Sequence, residues 1–500
     1  MTRLTRRELL ASASVGAAAS LFEHSPLQAR AQPQASARPI VIARTTVVTV
    51  DAVRDNVALA VERDKIAAIG PTDDVLRTYP NAEIYEGRGK AVFPGLVNCH
   101  AHLAATLERG FNEDFGFPNS ARLAVRPASL LQGDEHALMV TIGALEAIRS
   151  GTTTMVENSA GIGRVANALA QTGLRCVFAE SASDRDNASG PMSPDQVEKS
   201  QTVTFSAKLR DEGMQRIHDL HSAWHGTRDG RIRVFPAAAL AENSSPELLR
   251  AVREFAESHE LGYTIHLAQS RAEIAFMQKH HKLQPAAFLD RHGFLGPHLF
   301  AAHCRYVDAS EIALLGRSRT IVSHQAPMAG NRGVIPPIPA LRQAGCPIAN
   351  GTDNNTNDLF EVMRVALITE RVRRDDPLPG LRPQPEDMLA DATLGGARAV
   401  RQESIVGALE VGRKADLLIV DTLKPHLVPA GRIVSAWIHN GQPSDIESVM
   451  VDGRFVMRDR RILTVDENAL VAEADKVGKR IWGRVLAAGP VEVPRLPRPQ

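Results

Sequence analysis

The chain has 500 residues, 44% of them hydrophobic and 23% charged, enough apolar content to bury a large core in more than one domain. A formal net charge of +1 supplies no long-range field for nucleic acid or an anionic membrane, and no basic stripe with interleaved aromatic residues occurs. Nucleic-acid binding is excluded on these grounds, and beyond the N-terminus no apolar run reaches the roughly 18 residues that a membrane span needs.

Residues 1–31 read as an export signal. The stretch MTRLTRRELLASASVGAAASLF joins a basic start to an Ala-rich apolar run, and Ala29-Arg30-Ala31 offers a small-x-small cleavage site. Arg6 and Arg7, preceded by Thr5 and followed by Leu9 and Leu10, resemble a twin-arginine signal, which departs from its usual form at Leu9 and Ala11. The expectation is a periplasmic protein, passed in its folded state through the twin-arginine export machinery, with a mature chain starting near Gln32. Cys99, Cys176, Cys304 and Cys346 lie far apart inside apolar runs, which suits buried free thiols, and no CxxC zinc pattern is present.

Residues 38–92 carry short β-branched runs, such as IVIARTTVVTVD and VALAVERDKIAAIG, split by turn residues, and residues 401–465 repeat that texture in KADLLIVD and SVMVDGRFVMRDRRIL. These two segments are expected to form one β-sandwich, with residues 466–500 as a C-terminal helix and tail. Between them, over residues 93–400, apolar strand-like runs alternate with amphipathic stretches such as SPELLRAVREFAESHE. Eight candidate strands follow in series: GLVNCHAH, GTTTMVENS, LRCVFAES, IRVFPAAAL, GYTIHLAQ, LFAAHC, TIVSHQA and CPIANGTD. The fold class is therefore α/β, a (β/α)8 TIM barrel with a small β domain made by both chain ends. The stretch from Ser183 to Arg231, rich in Asp, Ser and Gly, is expected to run over the barrel mouth.

His100 and His102 end the first strand, His266 the fifth, His303 the sixth, His324 the seventh and Asp353 the eighth. A barrel gathers its C-terminal strand ends on one face. Side chains alternate along a strand, so His100 and His102 point the same way, an arrangement suited to clamping a divalent metal. Imidazoles with one carboxylate suit zinc, or iron of similar preference, and leave a position for water. His218, His221, His225, His280, His281, His292 and His298 lie in helical or loop contexts and read as surface residues.

PGLVNCHAHL, HLAQ at His266, AHC at His303, SHQAP at His324, GTDNNTNDL at Asp353, and the later ATLGGARAV and GALEVGRKADLLIVD resemble the amidohydrolase superfamily. The similar branch holds triazine hydrolases, guanine and cytosine deaminases and adenosine-derivative deaminases, and the resemblance runs from about Ile40 to about Leu463. It implies the barrel and sandwich, and metal ligation by His100, His102, His266 and Asp353. Binuclear members use a carbamylated lysine on the fourth strand. IRVFPAAAL has none, so one metal is expected. In resembling enzymes the metal acidifies its water, the Asp takes a proton, and the hydroxide attacks an electrophilic carbon. Asp353 is then ligand and general base, His303 stabilises the hydroxide or oxyanion, and His324 contacts substrate or leaving group.

Deaminases of this branch carry Glu three residues after the fifth-strand His, where this chain has Gln269. An amide orients a carbonyl or ring nitrogen but carries no proton. Glu157, Glu180 and Glu242, after the second, third and fourth strands, are possible substitutes, although a structural role is the simpler reading of each. The leading reading is a metal-dependent hydrolase of a non-peptide carbon–nitrogen bond in a small molecule. The alternatives are an aminohydrolase of a purine, pyrimidine or triazine, and a non-catalytic metal- or ligand-binding protein. A homo-oligomer is in keeping with the resemblance.

Overall fold

The computed structural model describes residues 38–115, 123–186, 193–199, 203–354, 356–374 and 382–489. The predicted export signal lies outside them. The strands of the first segment are β1 (Ile40–Val48), β2 (Val53–Glu62), β3 (Lys65–Pro71), β4 (Glu83–Glu86) and β5 (Lys90–Pro94). All eight predicted barrel strands form: β6 (Leu96–Ala101), β7 (Thr152–Ser159), β8 (Arg175–Ala182), β9 (Ile232–Leu240), β10 (Tyr263–Leu267), β11 (Leu299–His303), β12 (Ile321–His324) and β13 (Ile348–Asn350). The chain then returns to the first sheet with β14 (Leu417–Asp421), β15 (Ile446–Val451), β16 (Arg454–Arg458) and β17 (Arg461–Ile462).

Strands β6 to β13 pair in sequence order and in parallel. A bridge between Ala101 and Asp353 brings the last strand back to the first. Helices cover the outside, and most residues of these strands are buried. β6 and β8 are buried along their whole length, which is why they read as continuous apolar runs rather than alternating ones. The helix Pro246–Ser258 shows how the covering layer is specified. Ser245 Oγ accepts from Leu248 N at 3.1 Å, Pro246 occupies the first turn, and Leu248, Leu249, Val252, Phe255 and Ala256 form one buried stripe.

The two chain ends share a nine-stranded mixed sheet joined where β5 pairs antiparallel with β14. Residues of both arms, including Ile42, Leu59, Leu417, Met450 and Phe455, pack into one apolar cluster. At the bottom of the barrel, buried Arg175 at the start of β8 donates to Asp416 at 2.9 and 3.1 Å and to Asp452 at 3.2 Å, tying the barrel to this sheet.

The stretch expected to run over the mouth divides in two. Its polar helix, Ala207–Trp224, is the ordinary crossover between β8 and β9, with Ile217 and Leu220 buried and Gly213 so close to Ala182 that a Cβ would lie 2.8 Å from the Ala182 Cβ. A narrow apolar stripe on a long polar helix hides this role in the sequence. Residues 187–192 and 200–202 of the stretch lie outside the described set. The C-terminal helix, Glu467–Ala488, docks on the barrel through Arg480 to Glu135 at 2.5 Å and through Trp482 Nε1, which donates to the Leu107 carbonyl at 2.9 Å. All four cysteines are free and buried. No described helix is long and apolar enough to cross a membrane.

Candidate active site

The closure of the barrel builds the site. Thr352 N and Asp353 N both donate to the His100 carbonyl, at 2.9 and 3.0 Å, and His102 N donates to the Asp353 carbonyl at 3.2 Å. Backbones approach so closely here that a Cβ on Gly351 would lie 2.8 Å from the His100 Cβ and 2.9 Å from its carbonyl oxygen. Only glycine fits. Several strand-end residues that are not glycine take left-handed backbone angles: Ala268 (φ 49°), His303 (φ 81°) and Asp353 (φ 62°). Such angles are costly for side-chain-bearing residues and gather where the surrounding structure enforces a geometry.

His100, His102, His266, His303 and Asp353 meet at the barrel mouth. Donor atoms of His100, His266 and His303 lie within 4.8 Å of one another, as do those of His100, His102 and Asp353. His102 Nε2 is 3.5 Å from Asp353 Oδ1, and His100 Nε2 is 4.0 Å from it. His266 Nδ1 donates to the Ala239 carbonyl at 2.6 Å, and the His102 ring donates to the backbone of Asn158. These bonds assign the proton of each ring to the nitrogen facing away from the centre. The two Nε2 atoms, 3.1 Å apart, therefore aim lone pairs at each other. That contact is repulsive unless a cation lies near both.

His100 is wholly buried, with no hydrogen-bond partner for either ring nitrogen, and His303 Nδ1 is buried in the same state. Buried polar atoms without partners are rare because each costs roughly 1–3 kcal/mol. Burial, reinforced by the neighbouring rings, drives His100 well below the usual imidazole range, and it brings His102 and His266 down to about 4. Neutral imidazoles are the form that ligates metals. Burial raises the Asp353 carboxyl, against the pull of Arg332, His266 and Arg305. Lone pairs without protons, a buried carboxylate and no lysine in β9 fit one divalent cation.

A cavity of about 360 Å³ opens onto this cluster, and Gln269 lines it beside His102, His266, His303 and Asp353. Glu273 places Gln269 by accepting from Ala268 N and Gln269 N, each at 2.7 Å. His324, expected to contact substrate, is not in this wall. Alternation along the chain sets Ser323 and Gln325 on one side, where Gln325 Nε2 donates to Ser323 Oγ at 2.5 Å and Gln325 Oε1 accepts from His303 N at 3.1 Å. His324 faces the other way, buried, and the charge acting on it is that of Arg342.

The three glutamates weighed as proton carriers do not line the cavity either. Glu157 accepts from Leu103 N at 2.9 Å and Ser159 Oγ at 3.0 Å, and burial lifts its carboxyl to about 7. Glu180 accepts from Gly161 N, Ile162 N and Arg216. Glu242 is buried beside Glu273, and burial lifts it to about 7. Of the histidines read as surface residues, none lines the cavity, although His221 and His225 stack at 4.4 Å and sit half-buried near Phe255 and His259.

Residues the sequence did not single out also line the cavity: Glu108, Asn112, Arg332 and Asn354. Arg332 Nη2 donates to Asn354 Oδ1 at 3.0 Å, and its charge acts on His102, His303 and Asp353. All four stand on loops after the first, seventh and eighth strands. Nothing in their spacing marks them.

Comparison with known proteins agrees with this geometry. The amidohydrolase family profile matches residues 91–456, and that of an imidazolonepropionase-like composite domain of bacteria matches residues 58–82. The chain is 32% identical over 433 residues to a 5-methylthioadenosine/S-adenosylhomocysteine deaminase of Desulforudis audaxviator, covering 85% of this chain and 94% of that one. It is 31% identical over 409 residues to a 5'-deoxyadenosine deaminase of Methanothermobacter thermautotrophicus, covering 80% and 90%. Among solved structures, an adenosine deaminase of Xanthomonas campestris with bound zinc superimposes with a TM-score of 0.79 at 26% identity, over 91% of this chain and 100% of that one. An atrazine chlorohydrolase of Arthrobacter aurescens shares the fold, with a TM-score of 0.77 at 20% identity over 88% and 100%. The chain belongs to the amidohydrolase family and is a metal-dependent hydrolase of carbon–nitrogen bonds.

Proposed function

We propose that the enzyme removes an exocyclic amine from an adenosine derivative, with His100, His102, His266 and Asp353 holding one divalent metal, zinc in the first instance. The observation that carries this reading is the convergence of unprotonated imidazole nitrogens and a buried carboxylate on one point of a cavity of about 360 Å³, large enough for a nucleoside-sized ligand. Relatives that act on methylthioadenosine and deoxyadenosine support the substrate class, and bound zinc in the Xanthomonas enzyme supports the metal.

A divalent cation in this place would acidify a water molecule and polarise the carbon under attack. Asp353 accepts the proton of the attacking water, a task suited to a carboxylate whose proton affinity burial has raised. His303, stacked on His266 with ring centroids 5.4 Å apart, hydrogen-bonds the oxygen on which charge develops. Gln269 orients the substrate's ring nitrogen or carbonyl through its amide.

Gln269 also favours a second reading, hydrolysis of an amide-like bond, because an amide side chain positions a carbonyl without needing to carry a proton. Product mass decides between the two. Metal-loaded enzyme is incubated with adenosine derivatives, cyclic amides and ureas, with Asp353→Asn as control. Replacement of NH by O supports deamination. Addition of a whole water, or cleavage into two fragments, overturns it in favour of amide hydrolysis.

We also propose export by the twin-arginine route to the periplasm, on the strength of Arg6, Arg7 and the Ala29–Ala31 site. Replacing Arg6 and Arg7 by lysine should retain the protein in the cytoplasm. Unchanged export would refute that route.

A further inference from the structure

We propose that Glu108 is the acid that protonates the departing nitrogen. The inference rests on carbon–nitrogen hydrolysis and holds for release of either an amine or an amide nitrogen. A nitrogen anion is a poor leaving group, so the reaction needs a proton donor on the substrate side of the cavity as well as a base for the water. Among the described residues lining the cavity, Glu108 is the one carboxyl group besides Asp353. Gln269, Asn112 and Asn354 are amides, and the Arg332 guanidinium does not give up its proton. Glu157 and Glu180 are held by hydrogen bonds to Leu103, Ser159, Gly161, Ile162 and Arg216, and Glu242 does not line the cavity.

Glu108 is also held in place. It ends the 3-10 turn Leu103–Glu108, whose Leu103 and Leu107 are buried. Leu103 N donates to Glu157, Ala105 N donates to the His102 carbonyl at 2.9 Å, and Trp482 pins the Leu107 carbonyl. One turn later, Asn112 Nδ2 donates to the carbonyl of Asn354, the residue after Asp353, at 3.2 Å. The loop bearing Glu108 is thereby fixed to the loop bearing the base, as a donor that must meet substrate in a defined place requires.

The water oxygen forms the new C–O bond while Asp353 takes one water proton. The C–N bond breaks as the Glu108 carboxyl proton passes to the leaving nitrogen. The remaining O–H proton ends on the ring nitrogen of an amino-heterocycle as the carbonyl forms. Asp353 then releases its proton to solvent and Glu108 takes one up, so the two hydrogens of water end on product and released amine.

The test compares wild type, Glu108→Gln and Glu108→Asp, all metal-loaded, by kcat, KM, metal content, melting temperature and pH profile. Glu108→Gln is expected to lower kcat by about 10²-fold or more while KM stays within about threefold. The alkaline fall of kcat, which in the wild type follows loss of the acid's proton, disappears in Glu108→Gln and persists in Glu108→Asp with part of the rate restored. The assignment is overturned if kcat stays within about threefold of wild type, if the loss is confined to KM, if the alkaline limb is unchanged, or if lost metal and a lower melting temperature account for the loss of rate. A wild type that releases no nitrogen from any substrate refutes the carbon–nitrogen reading itself, and the assignment with it.

Discussion

The two ends of the barrel bury charge and polarity in opposite ways. At the bottom, Arg175 is enclosed but satisfied, bonded to two carboxylates that belong to the sheet of the chain ends. At the mouth, His100 is just as deeply enclosed and neither of its ring nitrogens has a hydrogen-bond partner among the described residues, while His102 and His266 aim lone pairs at each other. A satisfied buried ion group holds two domains together. An unsatisfied one costs stability in the metal-free protein and marks the place where a ligand supplies the missing interaction. Stability and function are thus separated along the barrel axis, as expected of this architecture.

The largest effect should come from the mouth. Asp353→Asn keeps the shape but removes the base and one ligand, and is expected to lower kcat by about 10³-fold or more with the melting temperature of the metal-free protein little changed. At the bottom the effects should be reversed. Arg175→Ala leaves the buried Asp416 without its ion partner and Asp452 with Lys414 alone, and should cost about 3–5 kcal/mol of stability, measured by denaturant unfolding, while the residual folded enzyme keeps its KM. A loss of activity without loss of stability in Arg175→Ala would show that the bottom of the barrel also serves catalysis.

Gly351→Ala tests the mouth without replacing a ligand side chain. The added Cβ would press on His100, and metal affinity should fall about 10–100-fold, measured by competition with a chelator. The smallest effect is a pH dependence at His324, which burial holds neutral to about 3 against an ordinary 6.5. Between those values the unfolded chain binds a proton that the folded chain refuses, so this group's contribution to stability is present above about pH 6.5 and is lost as pH falls through the window. His324→Leu should flatten the acid side of the melting temperature profile. A profile unchanged in shape would show that His324 is not held neutral.

Much of this was legible in the sequence. The eight strands announced themselves by apolar runs between turn signals, and the strand-end histidines and Asp353 by their places in that series. The ligand spacing of His100 and His102 follows from period-two alternation alone. His324 looked equivalent because strand-end position is visible while phase is not: a strand ending one residue earlier or later turns the side chain to the other face, and His324 lies where the charge of Arg342 acts on it. Glu108 and Arg332 were missed for a different reason. They stand on irregular loops, where no periodicity links position to direction, and only the folded backbone brings them to the cavity. The left-handed angles at His303 and Asp353 were equally hidden, since neither residue type demands them.

Whether the histidine cluster holds the catalytic metal is tested by a metal titration of the metal-free enzyme, following bound zinc by mass spectrometry and turnover of an adenosine derivative on the same samples, for wild type and His100→Ala. Wild-type turnover should rise in proportion to bound zinc and stop at one equivalent, and His100→Ala should neither retain the metal nor turn over. Activity without metal, or a plateau at two equivalents, would contradict this.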